Sequence, residues 1–181
     1  MDIPKDFYSY DTGKPFESCL ICGTHLHTPP QRYMVEKCIR RYPDLDSFDV
    51  IYEYALCFSC TMKQQEYISK ESLQNLMDYM SKIQNPMQLA RSMETGLLPD
   101  KCLIHNTDVS EMSEYIIQGT FYGSQKDMNT PYFLFGDLAL EEMQGLMSQK
   151  TRDGMDDFID TYFSGPPEFR ELLRERKTVL I

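Results

Sequence analysis

Two stretches early in the chain, Tyr33 to Ile39 and Phe48 to Leu56, are dense in β-branched and aromatic residues and are separated by the turn-forming run Pro43-Asp44-Leu45-Asp46. This pattern predicts an antiparallel hairpin, although Tyr33 to Arg41 also fits a short helix. After the second stretch, Thr61 to Tyr67 changes to helix-compatible residues. From Ser69 the pattern is that of an amphipathic helix. Ser69 is a capping residue, Glu71 falls in the first turn, and Leu73, Leu76, Met77, Met80 and Ile83 form an apolar stripe. Asn85-Pro86 ends or kinks that helix. Met87 to Glu94 supplies another helical turn before Gly96, and Leu97 to Asp100 reads as a linker.

Strand-like segments return at Tyr115 to Tyr122 and Tyr132 to Phe135, with Gly123 to Pro131 as the loop between them. Three helical stretches follow. Asp137 is placed to cap Leu138 to Ser148, Thr151 or Asp153 to cap a run through Phe163, and Pro166-Pro167 suits the first turn of a helix through about Arg176. Asp153, Asp156, Asp157 and Asp160 fall on one helical face, which reads as a solvated surface because the stretch lacks the spacing of a calcium loop. Met77, Met80, Met143 and Met147 fall at core spacings, and Val179-Leu180-Ile181 reads as a terminal strand or clasp. The pattern shows no long-period repeat and no low-complexity tract.

Chemistry enters with two cysteine pairs, Cys19-Leu20-Ile21-Cys22 and Cys57-Phe58-Ser59-Cys60. Four thiolates repel one another and are costly to bury, so a cluster of them calls for a cation at its centre, and tetrahedral Zn²⁺ suits the set. Gly23 follows the first pair, where a left-handed residue turns backbone amides toward the sulfurs. Cys57 and Cys60 fall where the second strand gives way to a helix, three residues apart and so on one face, with the helix dipole favouring thiolate. The expected metal ligands are Cys19, Cys22, Cys57 and Cys60, holding a structural Zn²⁺.

The order of knuckle, hairpin and helix-borne pair resembles a treble-clef zinc finger over about residues 16–68, carried by Cys19, Cys22, Gly23, Cys57 and Cys60. Zinc ribbons and rubredoxin-like sites are similar in using CxxC pairs with a long insert. Rubredoxins have CxxCG twice, whereas Thr61 follows the second pair here, so iron is the lesser reading. The whole chain is also similar to an uncharacterised bacterial protein family, a resemblance that implies no activity.

A short echo of the first knuckle occurs at Cys102-Leu103-Ile104-His105-Asn106-Thr107, where His replaces a ligand and Asn replaces Gly. Both replacements are chemically permissible. A second metal site there needs His25, His27 or Cys38 as well, and with an open position it would be catalytic. The competing reading is a chance match with Cys102 as a packed thiol. His25 and His27 alternate in phase after the first pair and serve as ligands, as hydrogen-bonding neighbours of the metal loop, or as exposed loop residues. Cys38 reads as a core thiol.

Composition narrows the function classes. The net charge of −10 leaves no broad basic surface for phosphate backbones, Arg40-Arg41 and Arg174 to Lys177 being the only basic concentrations, so a nucleic-acid partner is disfavoured. No apolar run approaches the ~20 residues that span a bilayer, and Met1 to Asp6 lacks the features of a secretory signal, which points to the cytoplasm. Phosphate loops, GxSxG elbows, HExxH helices and deaminase HxE…PCxxC patterns are absent from the sequence. The expectation is an α+β protein. A zinc-stabilised knuckle-hairpin-helix module with its following helix (residues 1–85) packs with a largely helical acidic half (residues 86–181). The protein, through its acidic half, serves as a protein interaction or regulatory module; the alternative is a hydrolase-like zinc enzyme using Cys102 and His105.

Overall fold

The computed structural model describes residues 1–163 together with Pro166, Glu168, Arg170, Glu171 and Leu173. Strands β1 (Arg32–Tyr42) and β2 (Ser47–Cys57) form the expected antiparallel hairpin, closed by a turn at Pro43–Leu45. Helices α1 (Phe58–Gln65), α2 (Lys70–Met80) and α3 (Pro86–Thr95) follow. Then come β3 (Glu114–Tyr122), β4 (Gln125–Lys126), β5 (Phe133–Gly136), α4 (Asp137–Gly145) and α5 (Gln149–Tyr162). The class is α+β. Its centre is a five-stranded sheet in which β1 pairs with β2 on one side and with β3 on the other, while β4 and β5 both pair with β3. The sheet therefore draws strands from both residues 1–85 and residues 86–181.

Both faces of the sheet are covered, which is why Tyr33 to Ile39 are buried without alternation. On one face Phe7 packs edge-on to Phe121 and tilted against Tyr132, with Tyr33 beside Phe121. These rings leave no room for a side chain at Gly119, where a Cβ would come within 2.8 Å of Phe7 and 2.9 Å of Tyr132. On the other face Tyr52 and Tyr54 pack against Phe163, and Tyr54 also against Phe158 of α5.

Two parts of the chain share one backbone plan, although no fixed period relates their sequences. In the first copy Cys19 N–H donates to Thr24 O, Gly23 N–H to Cys19 O and Leu26 N–H to Glu17 O. In the second, Cys102 N–H donates to Thr107 O, Asn106 N–H to Cys102 O and Val109 N–H to Asp100 O. Each loop is tied to its strand in the same way, by Leu20 N–H to Ala55 O and by Leu103 N–H to Leu134 O. Gly23 and Asn106 occupy the same left-handed position, at φ 69° and 56°. Strand registers agree as well. Tyr33↔Cys57, Met34↔Leu56, Val35↔Ala55 and Glu36↔Tyr54 in the first copy match Tyr115↔Gly136, Ile116↔Phe135, Ile117↔Leu134 and Gln118↔Phe133 in the second. The copies meet across β1 and β3, where Tyr33↔Phe121 and Ile39↔Tyr115 exchange under the repeat and Glu36↔Gln118 sits at the centre. This is the geometry of an internal two-fold.

The same symmetry appears where α2 and α5 begin. Ser69 caps α2 by accepting from Ser72 N–H, and Ser148 caps α5 by accepting from Thr151 N–H. The caps are cross-linked: Ser69 N–H donates to Thr151 Oγ1 at 2.9 Å, Ser148 N–H donates to Ser72 Oγ at 2.8 Å, and the two cap hydroxyls lie 2.8 Å apart. Ser148, rather than Thr151 or Asp153, therefore caps α5, and Thr151 is buried in its first turn. Replacing Ser72 by Ala removes the acceptor of the Ser148 amide in a buried position. The expected cost is about 1–3 kcal/mol, read as a lower midpoint in urea unfolding.

The buried face of α2 is Ser72, Leu76 and Tyr79, while Leu73 and Met77 face solvent. Ser72 and Tyr79 go inside because each finds a hydrogen-bond partner, a possibility that counting apolar residues ignores. Met143 and Met147 are in the core as expected, and Met77 is not. Gly136, one residue before Asp137, is the N-cap of α4, and Asp137 receives the Ser113 hydroxyl. Asp153, Asp157 and Asp160 are exposed and Asp156 is half-buried, as a solvated face requires. Arg174 to Lys177, the end of the helix expected from Pro166-Pro167, and Val179-Leu180-Ile181 lie outside the described residues.

Candidate metal centre

Each cysteine pair is delivered by a different kind of backbone. Cys19 and Cys22 lie in the knuckle, held closed by the Gly23-to-Cys19 and Cys19-to-Thr24 hydrogen bonds and pinned to β2 through Leu20. A left-handed backbone at Gly23 strains any residue with a Cβ, even though the space around it is open. Cys57 is the last residue of β2 and the N-cap of α1, with an extended backbone, and Cys60 follows in the first helical turn. The hairpin thus carries the second pair back beside the first.

The four sulfurs all lie within 4.8 Å of one another. Sulfurs ~2.3 Å from a tetrahedral zinc ion lie about 3.8 Å apart. Cys22 Sγ and Cys57 Sγ are 3.7 Å apart, which is an edge of such a tetrahedron and far longer than a disulfide. Cys19, Cys57 and Cys60 are buried, and Cys22 is exposed. The Thr24 hydroxyl and amide hold the Cys22 thiol down to about 6, so it is the group most ready to ionise. Burial pushes Cys57 and Cys60 the other way, and the sulfur neighbours of Cys60 raise it further. A cation at the centre would remove that penalty, and the donor set fits a soft tetrahedral metal. Thr24 was not singled out by sequence reasoning. The signal was its position after Cys-x-x-Cys-Gly, matched by Thr107 in the echo.

The remaining candidates do not join this cluster. His27 Nε2 lies 2.8 Å from the Phe16 carbonyl, so that nitrogen carries the proton, which leaves Nδ1 to accept from Ser124 Oγ at 3.2 Å. It fastens the knuckle to the β3–β4 turn. His25 is exposed. Cys102 is 1% exposed, and His105 Nε2 is 2.9 Å from Glu142 Oε2, which also receives the Tyr79 hydroxyl. Among the described residues the four cysteines are the only group of three or more His, Cys, Asp or Glu placed to share a metal, so the expected alternative of Cys102 and His105 with His25 or His27 is not assembled. Cys38 is a core thiol as expected, its Sγ 3.5 Å from Glu114 Oε1 and its acidity suppressed to about 12 by burial.

Comparison with known proteins matches the chain to no family model, no curated sequence and no solved structure.

Proposed function

We propose that Cys19, Cys22, Cys57 and Cys60 bind one structural Zn²⁺, that about residues 16–68 form a treble-clef-like zinc module, and that the protein acts in the cytoplasm as a protein-interaction or regulatory module. The observation that carries the metal reading is the convergence of four sulfurs, three of them buried, within 4.8 Å. All four tetrahedral positions are filled by protein, and a closed site of this kind stabilises structure rather than activating water. Two features support an interaction role. The chain is acidic, at −10, which disfavours nucleic acid, and α2 presents Leu73 and Met77 to solvent one helical turn apart. Among the described residues no helix is long and apolar enough to cross a membrane.

The purified protein is expected to hold about one zinc per chain and to be colourless, as counted by elemental mass spectrometry. Chelation should lower its melting temperature, because a ligand bound only to the folded state stabilises by mass action. A red protein with visible thiolate-to-iron absorption would replace zinc by iron. Metal content near zero in protein purified without chelator would remove the reading.

A further inference from the structure

The second copy of the unit keeps the backbone of the metal loop without its ligands. The repeat places Cys102 where the first copy has Cys19 and His105 where it has Cys22. It also places Gly136 at the position of Cys57, because Tyr115↔Gly136 repeats Tyr33↔Cys57 and each residue is the N-cap of the next helix. Ala139 then stands at the position of Cys60, in the first turn of α4. We infer that this region is a latent tetrahedral metal site, a duplicated zinc unit whose metal has been replaced by apolar packing.

What fills the space supports that origin. Cys102, Met112 and Ala139 are all within 2% of complete burial. The Met112 side chain lies where a Cβ at position 136 would project, 2.7 Å from its Sδ and 3.3 Å from its Cγ. His105 Nε2 lies 2.9 Å from Glu142 Oε2, both residues lining an open cavity of about 410 Å³. A thiolate quartet without a cation is costly, whereas a thiol, a methyl group, a glycine and a thioether pack without one. With these residues in place the second copy needs no metal to fold, and the β1–β3 pairing joins it to the first copy.

The inference rests on the reading of Cys19, Cys22, Cys57 and Cys60 as a metal site, and its test separates the two. The variant His105→Cys/Gly136→Cys/Ala139→Cys with Met112→Ala restores the four ligands and clears the space. A second variant, Ala139→Cys alone, leaves Gly136 and Met112 untouched and offers three ligands with Cys102 and His105. Both are titrated with Co²⁺ and followed by thiolate-to-cobalt absorption and metal count. The expected result is a rise from about one to about two equivalents in the four-site variant, reversed by adding Cys102→Ser. If the four-site variant does not fold, a second, weaker equivalent in Ala139→Cys carries the same conclusion. One equivalent in wild type and in every folded variant would overturn the latent site while leaving the first site intact. No metal in wild type would instead overturn the reading of the four cysteines.

Discussion

Replacing Cys57 by Ser is expected to strip the metal and unfold the amino-terminal unit. Structural zinc contributes about 10–16 kcal/mol of binding free energy, and shared over four thiolates this is roughly 2.5–4 kcal/mol per ligand, ~10²–10³-fold in affinity. A domain's whole stability is about 5–15 kcal/mol, so the loss is of the same order. Cys57 is also the N-cap of α1, a position that Ser suits, so the expected loss comes from the thiolate and not from the helix start. Cys19→Ser should behave alike, because Cys19 is buried and its backbone closes the knuckle at both N–H and C=O. Cys38→Ser is the control, with a cost of about 1–2 kcal/mol from altered packing and full retention of metal. Metal count and urea midpoint, measured together on the three variants, check this. Equal metal loss from the Cys38 and Cys57 variants would show that the ligands are misassigned.

The second large effect is a gain. Glu36 sits at the centre of the β1–β3 pairing, 1% exposed, opposite Gln118. Its carboxyl receives the Tyr52 hydroxyl at 3.2 Å and the Gln118 amide at 3.3 Å, and the Tyr54 hydroxyl, without a hydrogen bond elsewhere, lies against it. Burial dominates these contacts and raises the carboxyl to about 8 from an ordinary 4.5. The folded protein thus keeps a proton that the unfolded chain releases. The contribution of Glu36 to stability is greatest below about pH 4.5, falls by ~1.4 kcal/mol per unit as pH rises toward 8, and levels off above that. Glu36→Gln removes the titration and keeps hydrogen-bonding atoms in place. It should raise stability by about 3 kcal/mol at pH 7, roughly 10 °C in melting temperature, and by almost nothing at pH 4. Unfolding curves for both proteins at the two pH values test this. A gain independent of pH would mean that Glu36 is not the group responsible.

The repeat gives Glu36 a structural context. Glu36 and Gln118 are equivalent positions that face each other across the internal two-fold. Two carboxyls there would confront one another, and like charges in a dry site are costly. With amide on one side and carboxyl on the other, the amide donates to the acid. The copies therefore differ in both respects, the first holding Glu36 and the four clustered cysteines, the second Gln118 and, of those cysteines, only the counterpart Cys102.

The sequence by itself determined what depends on short separations along the chain. Each CxxC pair, the Gly23 turn, the Pro43 to Asp46 reversal and the Ser69 cap are decided within a few residues by backbone sterics and local hydrogen bonds, and each appears where its residues place it, whereas α2 ends at Met80, before the expected stop at Asn85-Pro86, and Pro86 opens α3. Only the tertiary structure decided which pairs meet, which face of α2 is buried, and that a second unit exists. The repeat was hidden because its spacing drifts, from Cys19 and Cys102 at the knuckles, through Tyr33 and Tyr115 in the strands, to Ser69 and Ser148 at the helix caps, so no single period aligns them. Backbone amides and carbonyls carry the shared architecture whatever side chain is attached, which leaves Cys-Leu-Ile as its visible trace. The fate of that trace was likewise tertiary. Whether the second loop could hold a metal depends on Gly136 and Ala139, which come beside it only when β5 pairs with β3 and Leu103 N–H bonds to Leu134 O, and on Met112, which packs against Gly136.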